Sequence, residues 1–574
     1  MKKFLLGILV GVIIAVLGGV ILLFAVARLA ERRPEIRADS TLVLRLSGPI
    51  PETPPLELPF PFLESRAPQT MFEVWNTLRK ARVDPNIKAV ALIPEGLAVG
   101  WGKLQEIRGA LVEFRKSGKP VYAYLEAPGA DEYYLATAAE RIFLAPEDYM
   151  NVKGLRAEAM YLKGGLDKLG IQVEIEAAGK YKDAGDMFSR SSMSPETREV
   201  LNSVLDEMYG HLLSVIAESR RKSVEEAGRL MDEGPFLARA AQEKGLVDAL
   251  AYEDEMFEQL KKRAGLAEIR KVSMRDYALV PAAALKLTGK KRIALVVGEG
   301  EILRGDMVPG FVEETVISSD RFAGLLRQVR ENRYIDGVIV RVDSPGGDSF
   351  ASDAILREMK LLSKKKPLVI SMSDVAASGG YYISMTGDPV IAYPATFTGS
   401  IGVIFGKPNL KGLYDKLGIR RETLKRGRFA DIDSDYRPLE DAERKKLREG
   451  IDNVYQVFVS RVAEARKKKP GDIEPLAQGR VWMGVQAQRN GLIDELGGMS
   501  RALELVKAKA KIARDEQVQI EVYPRRRSLW DTLFTRATEA VAGSPLSSVW
   551  ETLTRHPPVP SGILRRMPYT IEVK

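Results

Sequence analysis

The chain has 574 residues, 45% hydrophobic and 28% charged, which is too long for one ordinary core and too apolar for a disordered polymer. Its formal charge of +9 is only the small excess of 86 basic over 77 acidic side chains, and no recognition module accompanies it, which argues against a nucleic-acid partner. The absence of cysteine excludes disulfides, thiolate catalysis and cysteine-ligated zinc together.

From the N-terminus, Phe4 to Ala27 carries no charge and follows Lys2 and Lys3. That length spans a bilayer, so residues 4–27 are expected to form a transmembrane anchor. A cleaved signal peptide could use "AVA" at 25–27, but its apolar region would be shorter. Arg28, Arg32 and Arg33 beyond the span compete with the two lysines before it, so charge does not set the orientation. "PETPPLELPFPF" at 51–62 is too proline-rich for a helix or central strand and reads as an exposed extended loop.

After it, "IKAVALIPE", "PVYAYLE" and "RIFLAP" have strand length and are separated by helical patterns such as "KLQEIRGALVEFRKSG". A join near 280–291 precedes a second series: "RIALVVG", "IDGVIVRVDS", "SDAILREMKLLSKK", "PLVISMS", a helix after Ser378, and "PVIAYP". Strands alternating with helices predict an α/β fold of parallel strands and crossover helices, with domains at 40–283 and 291–510. Beyond about 520 the periodicity fades into a basic tail, 520–574, where "LWDTLF" permits a membrane-surface contact.

The two series are copies of one unit. "YYLATAAERIFLAP" from Tyr133 aligns with "YYISMTGDPVIAYP" from Tyr381 at an offset of 248, which also pairs Gly154 with Gly402, Gly170 with Gly418 and Gly179 with Gly427. Further on, "KGLVD" at 244–248 matches "NGLID" at 490–494 at an offset of 246. The copies differ where chemistry would sit. Ser378 falls on Ala130, and "SPGG" at 344–347 falls on "GLAV" at 96–99, whereas Lys182 in "GKYKDA" falls on Ala430. One copy has kept a serine and lost a lysine, and the other has done the reverse, as if one active site were divided between them.

A serine nucleophile needs a base, and the two histidines are badly placed: His211 in an amphipathic helix and His556 beside prolines. A Ser-His-Asp triad is therefore not expected. A lysine can serve when burial disfavours its charged form, and Lys182 is the candidate. Amides of Gly379, at the start of the helix after Ser378, and of Gly346 or Gly347 could hold an oxyanion, assisted by the helix dipole. Ser400 in "TGSIG", 22 residues beyond Ser378, could hydrogen-bond the lysine nitrogen.

"DSPGG", "AASGGYY", "TGSIG" and "GKYKDA" together resemble the long, two-copy form of signal peptide peptidase A, the protease IV family of membrane-bound bacterial serine proteases. The resemblance implies Ser378 as nucleophile from the second copy, Lys182 as general base from the first and Ser400 as its serine neighbour. It also implies a fold of the Clp protease and crotonase group and a homo-oligomer, a tetramer, on the extracytoplasmic side of the inner membrane. Released signal peptides would be the substrates, with no metal or cofactor. The basic tail has no counterpart in the family's pattern. Two other readings are a crotonase-like acyl-thioester enzyme, which would need neither Ser378 nor an anchor, and a membrane scaffold with a decayed site, which would not keep both Ser378 and Lys182. A short-chain dehydrogenase fails because Thr386, not lysine, stands four places after Tyr382.

Overall fold

The computed structural model describes residues 36–54, 68–306, 315–525 and 562–566, together with Gly7, Gly11 and Gly18. The expected anchor at 4–27, His556 and most of the tail lie outside the described residues, and among those described no helix is long and apolar enough to cross a membrane.

The first copy forms a six-stranded sheet in the order Ala249–Leu250, Arg141–Leu144, Val121–Leu125, Ile87–Leu97, Ser40–Gly48 and Arg270–Ser273, parallel throughout. Its inner strands are continuous apolar runs because helices cover both faces of a parallel sheet. The crossover helix Met71–Val83 starts at a capping box in which Thr70 and Glu73 each accept the other's backbone N–H. The second copy repeats the plan: Lys291–Glu299, Gly337–Ser344 and Leu368–Ala377 pair in parallel at the centre of an eight-stranded sheet. Val518–Tyr523 extends this sheet beside Lys291–Glu299, beyond the domain end expected at 510. The alternation in "VQIEVY" gives it one apolar face to lay on the core.

A third, mixed sheet joins the copies. Its order is Val316–Ser318, Glu301–Leu303, Gly346–Asp348, Gly562–Arg566, Val403–Asn409 and Gln172–Ala178, so the first copy supplies its last strand and the tail supplies one in the middle. The pairing of Val403–Asn409 with Gln172–Ala178 is antiparallel over seven residues of each, from Val403 opposite Ala178 to Asn409 opposite Gln172. It carries the loop after Ala178 to the second copy.

Buried contacts also tie the copies. Ala377, Ala395, Phe397, Val481 and Met483 of the second copy belong to the first copy's core, and Trp75 Nε1 donates to Ser500 Oγ at 2.9 Å. Arg341, fully buried in the strand Gly337–Ser344, donates to Glu52 Oε1 at 2.9 and 3.1 Å and to Glu106 Oε2 at 2.6 Å. Burial pulls both carboxyls upward. Arg341 and Lys103 nevertheless hold Glu52 below the usual range, while Glu106, pressed further by the charge of Glu52, stays above it. The stretch expected as an exposed loop is thus corrected at its start. Glu52 is buried, and Glu299 accepts from the N–H groups of Glu52 and Thr53, because a carboxylate beside a buried guanidinium is held in the interior. Residues 55–67 lie outside the described residues.

Candidate active site

The strand Leu368–Ala377 ends at Ser378, which has φ 53° and ψ −114°, and the helix Gly379–Ile383 follows at once. The Ser378 N–H donates to Gly399 O at 2.8 Å, and its carbonyl accepts from the Tyr382 N–H at 2.8 Å. A left-handed serine costs about 1–3 kcal/mol and persists only where such contacts over-determine it. Ser400 shares the strain with φ 49°. Both hydroxyls are fully buried. The helix is a single turn, so the dipole expected behind Ser378 is short and contributes little beyond its first amides.

Lys182 reaches this point from the first copy. Its loop is turned by Gly179, whose carbonyl accepts from the Lys182 N–H at 3.0 Å, and the Tyr181 N–H donates to Gln478 O at 2.8 Å. Lys182 Nζ lies 2.9 Å from Ser378 Oγ, 3.0 Å from Ser400 Oγ and 3.1 Å from Ser400 O. The side chain is 4% exposed. Next to it, burial raises the Asp183 carboxyl to about 6, and Thr197 Oγ1 donates to it at the start of the helix Pro195–Arg220. The arrangement can move a proton between one serine hydroxyl and one amine within a water-poor space.

The profile of peptidase family S49 matches residues 113–267 and 360–513. The chain belongs to peptidase family S49. It is 38% identical over 449 residues to "Serine protease SPPA, chloroplastic" of Arabidopsis thaliana, covering 77% of this chain and 66% of that protein. It is 32% identical over 487 residues to "Protease 4" of Salmonella typhi, covering 82% and 76%. Among solved structures, a ClpP1 variant of Listeria monocytogenes aligns with 36% of this chain at 15% identity and a TM-score of 0.24.

In this S49 serine peptidase the glycines expected at an oxyanion site are unequal. Gly346 N–H donates to Ser344 Oγ at 3.2 Å, so that amide already has an acceptor. A Cβ built on Gly379 would stand 3.1 Å from both Gly346 Cα and Gly347 N, which places the Gly347 amide against the turn that carries Ser378. His211 is engaged elsewhere: its Nε2 lies 3.0 Å from Tyr134 Oη, and burial lowers its pKa.

The S49 site also depends on a loop that sequence reasoning missed, residues 477–480. Ser400 N–H donates to Arg480 O at 2.8 Å and Gly479 N–H to Ile401 O at 2.7 Å, while the Arg480 guanidinium stacks 5.1 Å from the Tyr181 ring. Its one local signal is a glycine ahead of a strand, in "AQGRVW". Gly479 has φ 77°, and a Cβ there would come 2.6 Å from the Lys182 Cβ. Gly479→Ala is therefore expected to displace Lys182 and lower turnover about 100-fold, the usual cost of a misplacement near 1 Å. Turnover equal to the parent's, in an assay of peptide hydrolysis, would show that the lysine loop yields without consequence.

Proposed function

We propose that the protein is a membrane-anchored endopeptidase that degrades released signal peptides and other apolar peptides through a Ser378–Lys182 dyad. The observation that carries this is the 2.9 Å approach of Lys182 Nζ to Ser378 Oγ between the two copies within one chain. As Ser378 Oγ attacks a peptide carbonyl, Lys182 takes its proton. The oxyanion is met by the amides of Gly379 and of the Gly346-Gly347 pair, with Gly347 the better placed. Lys182 then returns the proton to the leaving amine, and water hydrolyses the ester by the same route. Lys182 must be neutral to begin, and enclosure of its nitrogen works in that direction. Ser400 orients that nitrogen.

Membership of S49 and the printed names of the relatives support peptide hydrolysis. Signal-peptide specificity, the anchor at 4–27 with the catalytic copies outside the cytoplasm, a homo-tetramer and a fold of Clp protease and crotonase type are the finer parts of the proposal. A fluorophosphonate probe followed by mass spectrometry should label Ser378 in the parent and leave Lys182→Ala unlabelled, and the parent should cut a synthetic signal peptide. Labelling at another serine would overturn the assignment.

A further inference from the structure

We infer that Asp183 is a positioning residue for Lys182: it tethers the lysine loop to the helix Pro195–Arg220, and its charge holds the amine toward the ammonium form. This role rests on the proposed function, in which Lys182 is the base. The carboxyl belongs to the residue directly after the lysine and is 8% exposed. One oxygen, Oδ2, accepts from Thr197 Oγ1, and Thr197 Oγ1 lies 2.8 Å from Ser194 Oγ, which caps that helix. The other, Oδ1, is buried with no hydrogen-bond partner among the described residues. The Asp183 N–H donates to Tyr181 O at 3.1 Å and the Asp186 N–H to Asp183 O at 2.9 Å, so the backbone around the lysine is fixed as well.

The second copy supplies the comparison. At the offset of 248, Asp183 falls on Asp431 and Lys182 on Ala430. Where the lysine is absent the aspartate meets cations: Asp431 lies 2.8 Å from Arg437 Nε and 2.8 Å from Lys425 Nζ, and these hold its carboxyl far below the usual range. Where the lysine is present the aspartate takes a hydroxyl in their place and lies in the interior. The charged and titratable groups facing Asp183 are Lys182, Asp186 and Tyr161; Asp186 is itself 3.5 Å from Arg190, and Arg190 and Arg198 face Tyr161. Burial raises the Asp183 carboxyl to about 6, with the Asp186 charge acting in the same direction and Thr197 and Lys182 against it. Above that pH Asp183 is charged, and a charge in a poorly screened interior favours a neighbouring ammonium. Asp183 therefore delays loss of the lysine proton as pH rises, and makes the neutral amine a stronger base once it forms.

The test is the rate at which a fluorophosphonate probe labels Ser378 in the full chain from about pH 5 to 10, which reads the free site without peptide binding or ester hydrolysis. Asp183→Asn keeps the shape of the side chain and removes its charge. Its rising limb should lie about one pH unit below the parent's, with a plateau a few-fold lower. Thr197→Val withdraws a hydroxyl that favours the charged carboxylate, and should move the limb in the same direction by less. Asp186→Asn, which removes a carboxylate already facing Arg190, should leave the limb in place. A purely structural Asp183 would lower the plateau and leave the limb where it is; that result, or an equal shift in Asp186→Asn, would overturn the inference. Should Asp183→Asn not fold, an unmoved limb in Thr197→Val would overturn it instead. Labelling of Lys182→Ala at the parent's rate would remove the base and overturn the proposed function together with the inference. An unlabelled Lys182→Ala beside an unmoved Asp183→Asn limb would overturn the inference alone.

Discussion

Lys182→Ala, Lys182→Arg and Ser378→Ala will each lower peptide hydrolysis by about 10,000-fold or more, and the Lys182→Ala/Ser378→Ala double variant will be no worse than either single one. Groups that pass one proton between them fail as a unit, and on the proposed mechanism these two side chains, 2.9 Å apart, are such a unit. Arginine fails despite its length because guanidinium keeps its proton at any working pH. Lys180→Ala is the control: that side chain is exposed, with its ammonium 4.5 Å above the Tyr181 ring, and most activity should remain. Hydrolysis of a peptide ester by the five variants decides the matter. Near-parental turnover in Lys182→Arg would exclude proton abstraction at this position, and loss confined to Lys180→Ala would move the base there.

The second large effect is on stability. Arg341→Met should destabilise the protein by about 3–5 kcal/mol, since it leaves the buried carboxylates of Glu52 and Glu106 without their shared cation. Replacing all three, as Glu52→Leu, Glu106→Leu and Arg341→Met, should recover much of that loss, because apolar groups of similar volume need no partner. Urea unfolding followed by tryptophan fluorescence provides the comparison. A triple variant no more stable than Arg341→Met would show that the cost lies in lost packing and in the stranded Met499 N–H and Ser373 hydroxyl rather than in unpaired charge.

Why some of this was legible in the residues and some was not has a physical basis. Parallel strands buried on both faces leave long apolar runs, so the order of strands and helices around Ile87–Leu97 and Leu368–Ala377 could be read directly. The Ser378 and Lys182 candidates emerged because each copy served as a reference for the other, and the structure brings the two together. The loop around Gly479 and the tail strand were hidden for a common reason: both act through backbone pairing with distant segments, which leaves almost no trace in side-chain pattern. Gly562–Arg566, bounded by prolines, looks like tail until its partners are known. Arg341 did leave a trace, a charge within the otherwise apolar "GVIVRVDS", but its partner Glu52 sits in a proline-rich stretch that suggested solvent.

The division of the dyad also orders events in time. The chain is made from its N-terminus, so every residue of the first copy, Lys182 included, is synthesised before the residue at 378. Lys182 and Ser378 stand 196 positions apart. Throughout that interval a nascent chain holds a base with nothing to activate, and on the proposed chemistry no peptide bond in its surroundings is at risk. On that chemistry, hydrolytic capacity requires the second copy to close against the first, so synthesis of the second copy is a precondition of activity.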